Sequence, residues 1–369
     1  MPPSPEPRCV EFYCGIGGLH YSLQRAHAHA RVVACYDVNP VSNDVYAHNF
    51  GLRPSGRDIR ALTCAELDAH EADVWLLSPP CQPYTRNGLQ LDKEDGRAGS
   101  FGCLLAVLQR MQHPPQRLLI ENVVGFDTSA MRGDLLDQLT AMGYMTHEYV
   151  LSPNQFGVPY SRPRYFMTAA LRPAPGCALA TPLPATPWPH PPPGCAAVAA
   201  SAALREYLEA GASWAEHQVP WSALRRSLLA VDFVHADTRF PAACANCVTK
   251  SYGRYAKGTG SLLLHSADDV QRLFDAVQRA ARRNAAAADS GCQESSALGE
   301  FLAAHVHDWP CDAPPLRYLT PREVARLHGF PESFAFPDSV TRLQRYALLG
   351  NSLSVDVVAP LLSHLLADL

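Results

Sequence analysis

Charge is scarce in this sequence and nearly balanced. Only 18% of the 369 residues are charged, 31 basic against 35 acidic, a net of −4 with histidine neutral. That excludes a surface that is polycationic throughout, yet leaves room for a local basic groove on a mildly acidic body. No stretch approaches the ~18–20 apolar residues of a membrane span, and Met1–Glu6 is proline-rich with no apolar signal core. No membrane partner is expected, and a cytosolic or nuclear setting is. Without a leader, the twelve cysteines are expected as reduced thiols and not as a disulfide framework. No internal repeat is evident. Apolar residues, at 47%, are plentiful enough for a sizeable core and exclude global disorder. At roughly 150 residues per domain, the length fits two or three domains, or one large domain with an insertion.

The first 170 residues alternate short apolar runs with amphipathic stretches. Val10–Tyr13, Val32–Tyr36, Val74–Leu77 and Leu118–Ile120 are the runs. Helical patterns lie at Leu19–Ala26, Leu104–Met111 and Leu135–Met142. Buried strands alternating with helices predict an α/β fold, a doubly wound parallel sheet covered on both faces. Tyr144–Leu151 and Tyr165–Leu171 predict a terminal hairpin. Arg172–Gly194 then carries nine prolines and little periodicity, the mark of a linker. Ala199–Gly211 and Val270–Ala288 have helical patterns, and the later part of Arg279–Ser296 is expected to be a mobile insertion. Thr320-Pro321-Arg322-Glu323 is a helix start, with Thr as N-cap, Pro at N1 and Glu at N3. Val355–Leu366 is helical, with Pro360 expected to kink it or to mark its true start. The expected division is 1–171 with 317–369 as one domain, 172–195 as a linker and 196–316 as a smaller inserted domain.

Four motifs carry chemistry. Gly15-x-Gly17-Gly18 sits between a strand and a helix, where glycines let a backbone approach a ligand. Asp37, nineteen residues after Gly18, ends the next strand, where an acid accepts hydrogen bonds from ribose hydroxyls. The spacing is not G-x-G-x-x-G, so a turn that merely needs glycine stays open. Ser78-Pro79-Pro80-Cys81-Gln82-Pro83 follows a buried strand, so Cys81 is expected at the carboxyl edge of the sheet, its backbone stiffened by prolines. A fixed, partly exposed thiol suits a covalent nucleophile; a buried apolar cysteine is the plain alternative. Glu121-Asn122-Val123 brings a carboxyl to the same edge, able to donate a proton or to serve as a helix cap. Arg162-Pro163-Arg164 is expected to put two guanidiniums on one face, fit for a base edge or a phosphate, a solvated surface being the plain alternative.

Phe12-Tyr13-Cys14-Gly15-Ile16-Gly17-Gly18, Pro79-Pro80-Cys81-Gln82, Glu121-Asn122-Val123 and Gln155 to Arg164 resemble, in order and spacing, the motifs of cytosine-5 methyltransferases. Tyr346-Ala347-Leu348-Leu349-Gly350-Asn351-Ser352 resembles their last motif. The resemblance covers residues 9–171 and 317–366. Within it, Cys247-Val248-Thr249-Lys250-Ser251-Tyr252-Gly253-Arg254-Tyr255 with Gly258-Thr259-Gly260-Ser261 resembles the signature of the tRNA cytosine-5 methyltransferase branch, historically called DNA methyltransferase type two. That signature has an aromatic residue where Val248 stands here.

The resemblance implies a Rossmann-like methyltransferase domain with a smaller target-recognition domain inserted. It implies S-adenosylmethionine against Phe12, Ile16, Gly17 and Gly18, with Asp37 on the ribose, Asp58 and Ile59 at the adenine, and Ser78 and Ser352 nearby. It implies Cys81, Glu121, Arg162 and Arg164 as the catalytic set. The substrate it implies is tRNA, at a cytosine in the anticodon loop of aspartate tRNA. DNA is the weaker alternative, and a non-catalytic RNA-binding protein the third. Lys250, Tyr252, Arg254 and Lys257, close together among glycines, are expected to hold the tRNA, tyrosines packed in the small domain's core and cations facing solvent being the plain alternative. Cys244-x-x-Cys247 has no second pair at zinc spacing and no histidine cluster, so no metal is expected.

Overall fold

A computed structural model of the chain describes residues 6–80, 98–171, 190, 192, 202–224, 231–234, 244–264, 316–367 and 369. The first half builds β1 (Arg8–Phe12), α1 (Gly18–Ala26), β2 (Arg31–Tyr36), α2 (Pro40–Phe50), α3 (Cys64–Asp68), β3 (Val74–Leu77), α4 (Ala98–Leu108), β4 (Arg117–Val123), α5 (Ala130–Ala141), β5 (Tyr144–Leu151), β6 (Tyr160–Ser161) and β7 (Arg164–Leu171). There follow α6 (Trp214–His217), α7 (Trp221–Leu224), β8 (Phe233–Val234), β9 (Ala245–Asn246), β10 (Leu262–Leu264), β11 (Leu316–Tyr318), α8 (Pro321–Leu327), α9 (Arg342–Gly350) and α10 (Val355–Leu365).

Six strands form the main sheet in the order β2-β1-β3-β4-β7-β5. β2, β1, β3 and β4 run parallel, and β7 lies antiparallel between β4 and β5. The expected terminal hairpin is therefore present, with its later strand on the inside. Strand order reverses between β1 and β3, so the crevice beyond their carboxyl ends is where a doubly wound sheet receives a ligand. Both faces are covered, which is why the strands read as unbroken apolar runs. Val74 and Leu76 pack with α1 and α10, while Trp75 and Leu77 pack with α4 and α5.

A second core joins Tyr160, Val248, Tyr252 and the three-stranded sheet β11-β10-β8 to α8 and α9. The two-residue ladder of β6 with β9 ties Tyr160–Ser161 to Ala245–Asn246. Thr320 and Glu323 make the expected capping box, with Pro321 in the first turn. One helix expectation is corrected, and a second is met with its start at Val355 and not at Pro360. Residues 204–207 make only one 3-10 turn and Gly211 is left-handed. Tertiary contacts override the local propensity there: the Glu209 N–H donates to Glu323, and Thr320 Oγ1 donates to the Glu209 carboxylate. α10 starts at Val355 and runs through Pro360, burying Val357, Val358, Leu361 and Leu362. Inside a helix, proline forfeits one backbone hydrogen bond, and burial of that apolar face offsets the loss. The linker 172–195, apart from residues 190 and 192, lies outside the described residues, as do Val270–Ala288 and the Ala-rich insertion.

Candidate active site

A cavity of ≈ 440 Å³ opens at the reversal point between β1 and β3. Its size falls within the ~300–1,000 Å³ of small-molecule sites. One end is walled by Tyr13, Ile16, Gly18, Asp37, Asp58 and Ile59, the other by Ser78, Pro80, Glu121, Arg162 and Arg164, with Gly350 and Ser352 between. A Cβ on Gly18 would sit 3.1 Å from Leu353 and from Ser352 Oγ, so glycine there lets this wall of the cradle close tightly. Carboxylates facing an apolar wall in this volume suit a nucleoside with a charged tail, and the residues present fit S-adenosylmethionine.

Two of the expected cofactor residues lie elsewhere. Phe12 is fully buried, stacked on Tyr36 at 5.4 Å and edge-on to Trp75 at 4.8 Å. It belongs to the last core-facing position of β1. The next residue, Tyr13, leaves the strand with φ 58, lines the cavity and shares a hydrogen bond of 3.1 Å with Ser100 Oγ. Gly17 faces α2 instead: with φ 86, a Cβ there would come within 2.2 Å of Phe50. Its glycine is required for packing and backbone geometry. Val38 escaped sequence reading too. It follows Asp37 directly, lines the cavity and is 65% exposed; an apolar residue between a strand-ending acid and a helix cap was the available signal.

Asp37 does line the cavity, but its carboxylate is already engaged within the protein. Oδ2 accepts the Gly15 N–H at 2.9 Å, and Oδ1 accepts the Asn39 N–H at 2.8 Å. The acid thus fixes the glycine loop to the end of β2. Asp58 caps the 3-10 turn at Ile59 by accepting the Arg60 N–H at 2.9 Å, and the Arg60 guanidinium beside it holds its pKa below the usual value.

Behind the glycine loop lies a buried acid that no motif singled out. Glu11, fully buried on β1, accepts a short hydrogen bond from Tyr46, whose hydroxyl also meets His20 Nδ1 at 2.7 Å. Burial pushes Glu11 up to about 8 from its ordinary 4.5, and burial lowers His20 to about 4. Between about 4.5 and 8 the folded chain therefore holds a proton at Glu11 that the unfolded chain releases. The stability from this site is complete at the acid end of that window and is lost as pH rises through it. Urea midpoints of Glu11→Gln should accordingly fall less than those of the wild type from pH 5 to pH 8 (about the span of the window). Equal declines would mean that Glu11 is ionised in the fold throughout.

At the other end of the cavity, β3 and β4 deliver their carboxyl termini side by side. Ser78 Oγ donates to Glu121 Oε2 at 2.8 Å, and Arg164 Nε lies 3.6 Å from Oε1. Asn122 Nδ2 reaches the Pro79 carbonyl at 3.4 Å. Arg162 and Arg164 share a face, as their spacing suggested, and both approach Cys247 Sγ, at 3.0 and 3.7 Å. Arg162 is not held loosely for a ligand, however. It is buried, and donates to the carbonyls of Val248 (2.9 Å), Gly350 (2.9 Å) and Ser352. Burial opposes its charge, but Cys247, Tyr160 and Glu121 outweigh that and hold its pKa above the usual range. Burial likewise raises Cys247, and Arg162 and Arg164 outweigh it, bringing the thiol below its ordinary value. Cys81 lies outside the described residues; Pro79 and Pro80, just before it, line the cavity.

The segment after Cys247 rests on the rim. A Cβ on Gly350 would lie 2.3 Å from the Thr249 carbonyl carbon and 2.4 Å from the Lys250 nitrogen, so the two backbones touch. Lys250, Arg254 and Lys257 are exposed. Tyr252 is not, which corrects its expected place against substrate. Its hydroxyl donates to the Ser261 carbonyl at 2.6 Å and accepts the Leu319 N–H at 2.9 Å, and its ring is edge-on to Tyr318 and Tyr346. Val248 is fully buried and gives its N–H to Tyr160. Here the usual aromatic position packs against Gly260 inside the core.

A parallel sheet closed by an antiparallel hairpin, with a nucleoside-sized cavity at its switch point and an acid and two arginines at one end, defines an α/β group-transfer enzyme. The model of C-5 cytosine-specific DNA methylases matches residues 7–367. A Mus musculus tRNA (cytosine(38)-C(5))-methyltransferase is 34% identical, over 97% of this chain and 93% of its own. A Dictyostelium discoideum DNA (cytosine-5)-methyltransferase is 32% identical, over 98% and 94%. The crystal structure of the S. pombe Dnmt2 methyltransferase superposes with a TM-score of 0.74 at 32% identity, covering 98% of each chain. The chain belongs to the C-5 cytosine methyltransferase family, in its type-two branch.

Proposed function

We propose that this enzyme methylates C5 of a cytosine in tRNA, cytosine 38 in the anticodon loop of aspartate tRNA, through a covalent bond between Cys81 and C6. The observation that carries the reading is the seating of residues 247–261 on the cavity rim, where Arg162 holds the Val248 carbonyl and Gly350 meets the Lys250 backbone. The names of the mouse and fission-yeast relatives support the substrate and the position. In this reading 1–171 and 317–369 are the catalytic unit, 172–195 the linker and 196–316 the recognition unit.

Tyr13, Ile16, Gly18, Asp37, Val38, Asp58, Ile59 and Ser352 would hold S-adenosylmethionine, which supplies an electrophilic methyl group on a sulfonium. Cytosine C5 is a poor nucleophile. The Cys81 thiolate adds to C6, breaks the ring's conjugation and leaves C5 enamine-like. Glu121 meets the N3 edge, its carboxyl oriented by Ser78 and Arg164. After C5 has been alkylated, loss of its proton and expulsion of Cys81 restore the ring. The base must leave its stack first, which costs less in a loop than in a duplex.

Incubation with total tRNA and, separately, duplex DNA, using a labelled methyl donor and mapping the labelled base, tests the reading. Label at a loop cytosine of one tRNA is expected. Label in DNA alone would transfer the assignment to the polymer named for the Dictyostelium relative. Cofactor binding without turnover on either polymer would favour a non-catalytic RNA-binding role.

The three exposed cations give a further expected result. Lys250→Ala, Arg254→Ala and Lys257→Ala combined should weaken tRNA binding and flatten its dependence on log salt, by roughly 0.7 for each single-strand phosphate that is no longer neutralised. An unchanged slope would move the tRNA surface to Arg86, Arg97 and the arginines of 224–228.

A further inference from the structure

Tyr252 and Tyr255 lie three residues apart in one glycine-rich loop, and the fold sends them in opposite directions. Tyr252 anchors the loop in the core. Tyr255 is 58% exposed, the most exposed aromatic ring among the described residues with large apolar side chains at the surface. The loop that carries it is rigidly built. The Thr249 N–H donates to the Thr259 carbonyl at 2.8 Å, Thr259 Oγ1 donates to the Tyr255 carbonyl at 2.6 Å, and the Arg254 N–H donates to the Ser251 carbonyl at 3.1 Å. Gly253, with φ +78, lies flat on the Tyr346 ring, where a Cβ would come within 2.5 Å. An aromatic ring on so well-tied a turn is held out to solvent with little freedom to fold back.

The sequence on either side of it carries charge of one sign. From Arg239 to His265 the sequence has no acidic residue. Lys250, Arg254 and Lys257 are exposed, and none is ion-paired to a described residue. The loop begins at the cavity rim, through Val248 on Arg162 and Lys250 on Gly350. A flat π-face among exposed cations, a few residues from the cavity rim, matches what an unstacked single strand requires: charge along the backbone and a platform for a base.

We propose that Tyr255 is a positioning residue that stacks on an unpaired base neighbouring the target cytosine, and so holds the RNA loop open while the target enters the cavity. The inference rests on the tRNA reading above. Stacking uses the ring face and not the hydroxyl, so phenylalanine should serve and alanine should not. It neutralises no phosphate, so the salt dependence should stay as it is.

The test uses the full-length chain and the tRNA that the wild type labels best, as an unmodified transcript. Tyr255→Ala should raise KM for this transcript by about 5- to 150-fold, the usual worth of one base–aromatic stack. Its KM for S-adenosylmethionine and its slope against log salt should be those of the wild type, and Tyr255→Phe should restore KM for tRNA. A transcript with 2-aminopurine beside the target should lose fluorescence on binding to the wild type and the Phe variant, and keep it with the Ala variant. An unchanged KM in Tyr255→Ala, failure of Phe to restore it, or a flattened salt slope would each overturn the proposal. A wild type that labels DNA and no tRNA would overturn the substrate reading, and this inference with it; a wild type active on tRNA leaves the variants to decide Tyr255 alone.

Discussion

Cys81→Ala should abolish methyl transfer and leave the affinity for S-adenosylmethionine intact. The two halves of this expectation come from different parts of the chain. The residues proposed to hold the cofactor sit on the turns after β1 and β2, at Tyr13–Gly18 and Asp37–Val38, together with Asp58 and Ile59. Cys81 follows Pro79 and Pro80, beyond the end of β3, whose neighbour β4 carries Glu121. Without the thiol no adduct forms at C6, C5 stays a poor nucleophile, and the remaining groups have nothing to stabilise. Calorimetric titration of the variant with S-adenosylmethionine, alongside a single-turnover assay, separates the two roles. Loss of binding would make Cys81 a structural residue and would remove the covalent step from the proposed chemistry.

Arg162→Ala should cost about 3–5 kcal/mol of stability, the usual penalty for removing one member of a buried charged network. The guanidinium is buried and hydrogen-bonded to carbonyls of Val248, Gly350 and Ser352 and to the Cys247 thiol. Each carbonyl left dry and unpaired carries a desolvation penalty of about 1–3 kcal/mol, relieved only in part by relaxation. Arg162→Lys should recover only a fraction, because an ammonium cannot reproduce the planar fork that spans both nitrogens' partners. Urea denaturation at fixed pH is the measurement. If Arg162→Ala kept wild-type stability and lost only activity, the side chain would be free for substrate and the network incidental.

These expectations also show where the amino-acid order was a sufficient guide. The apolar run Val74–Leu77 is a strand with those same ends, because four consecutive buried side chains between polar residues leave no other register. Thr320 to Glu323 caps its helix as read, since a capping box is a purely local arrangement. The misses share a physical cause. Phe12 and Tyr13 differ by one residue, and which of them leaves the strand depends on where β1 stops hydrogen-bonding. Gly17 answers to Phe50, thirty-three positions away, and Arg162 answers to carbonyls at 248, 350 and 352. Spacing within a motif carries no trace of such partners. Tyr252 and Tyr255 are chemically the same residue in the same loop; only the tyrosine cluster formed with Tyr318 and Tyr346 decides which goes inside.

One guanidinium gathers three stretches of chain that are far apart in sequence. The Ser352 end of its grip borders the cradle at Gly18, and the Val248 end leads into the loop that bears Tyr255. In the proposed reading, the cofactor in the cradle and the tRNA on the loop would thus lie against segments that the same side chain ties together. Any aid that one gave the other through Arg162 would have to be returned by the same factor, whichever bound first.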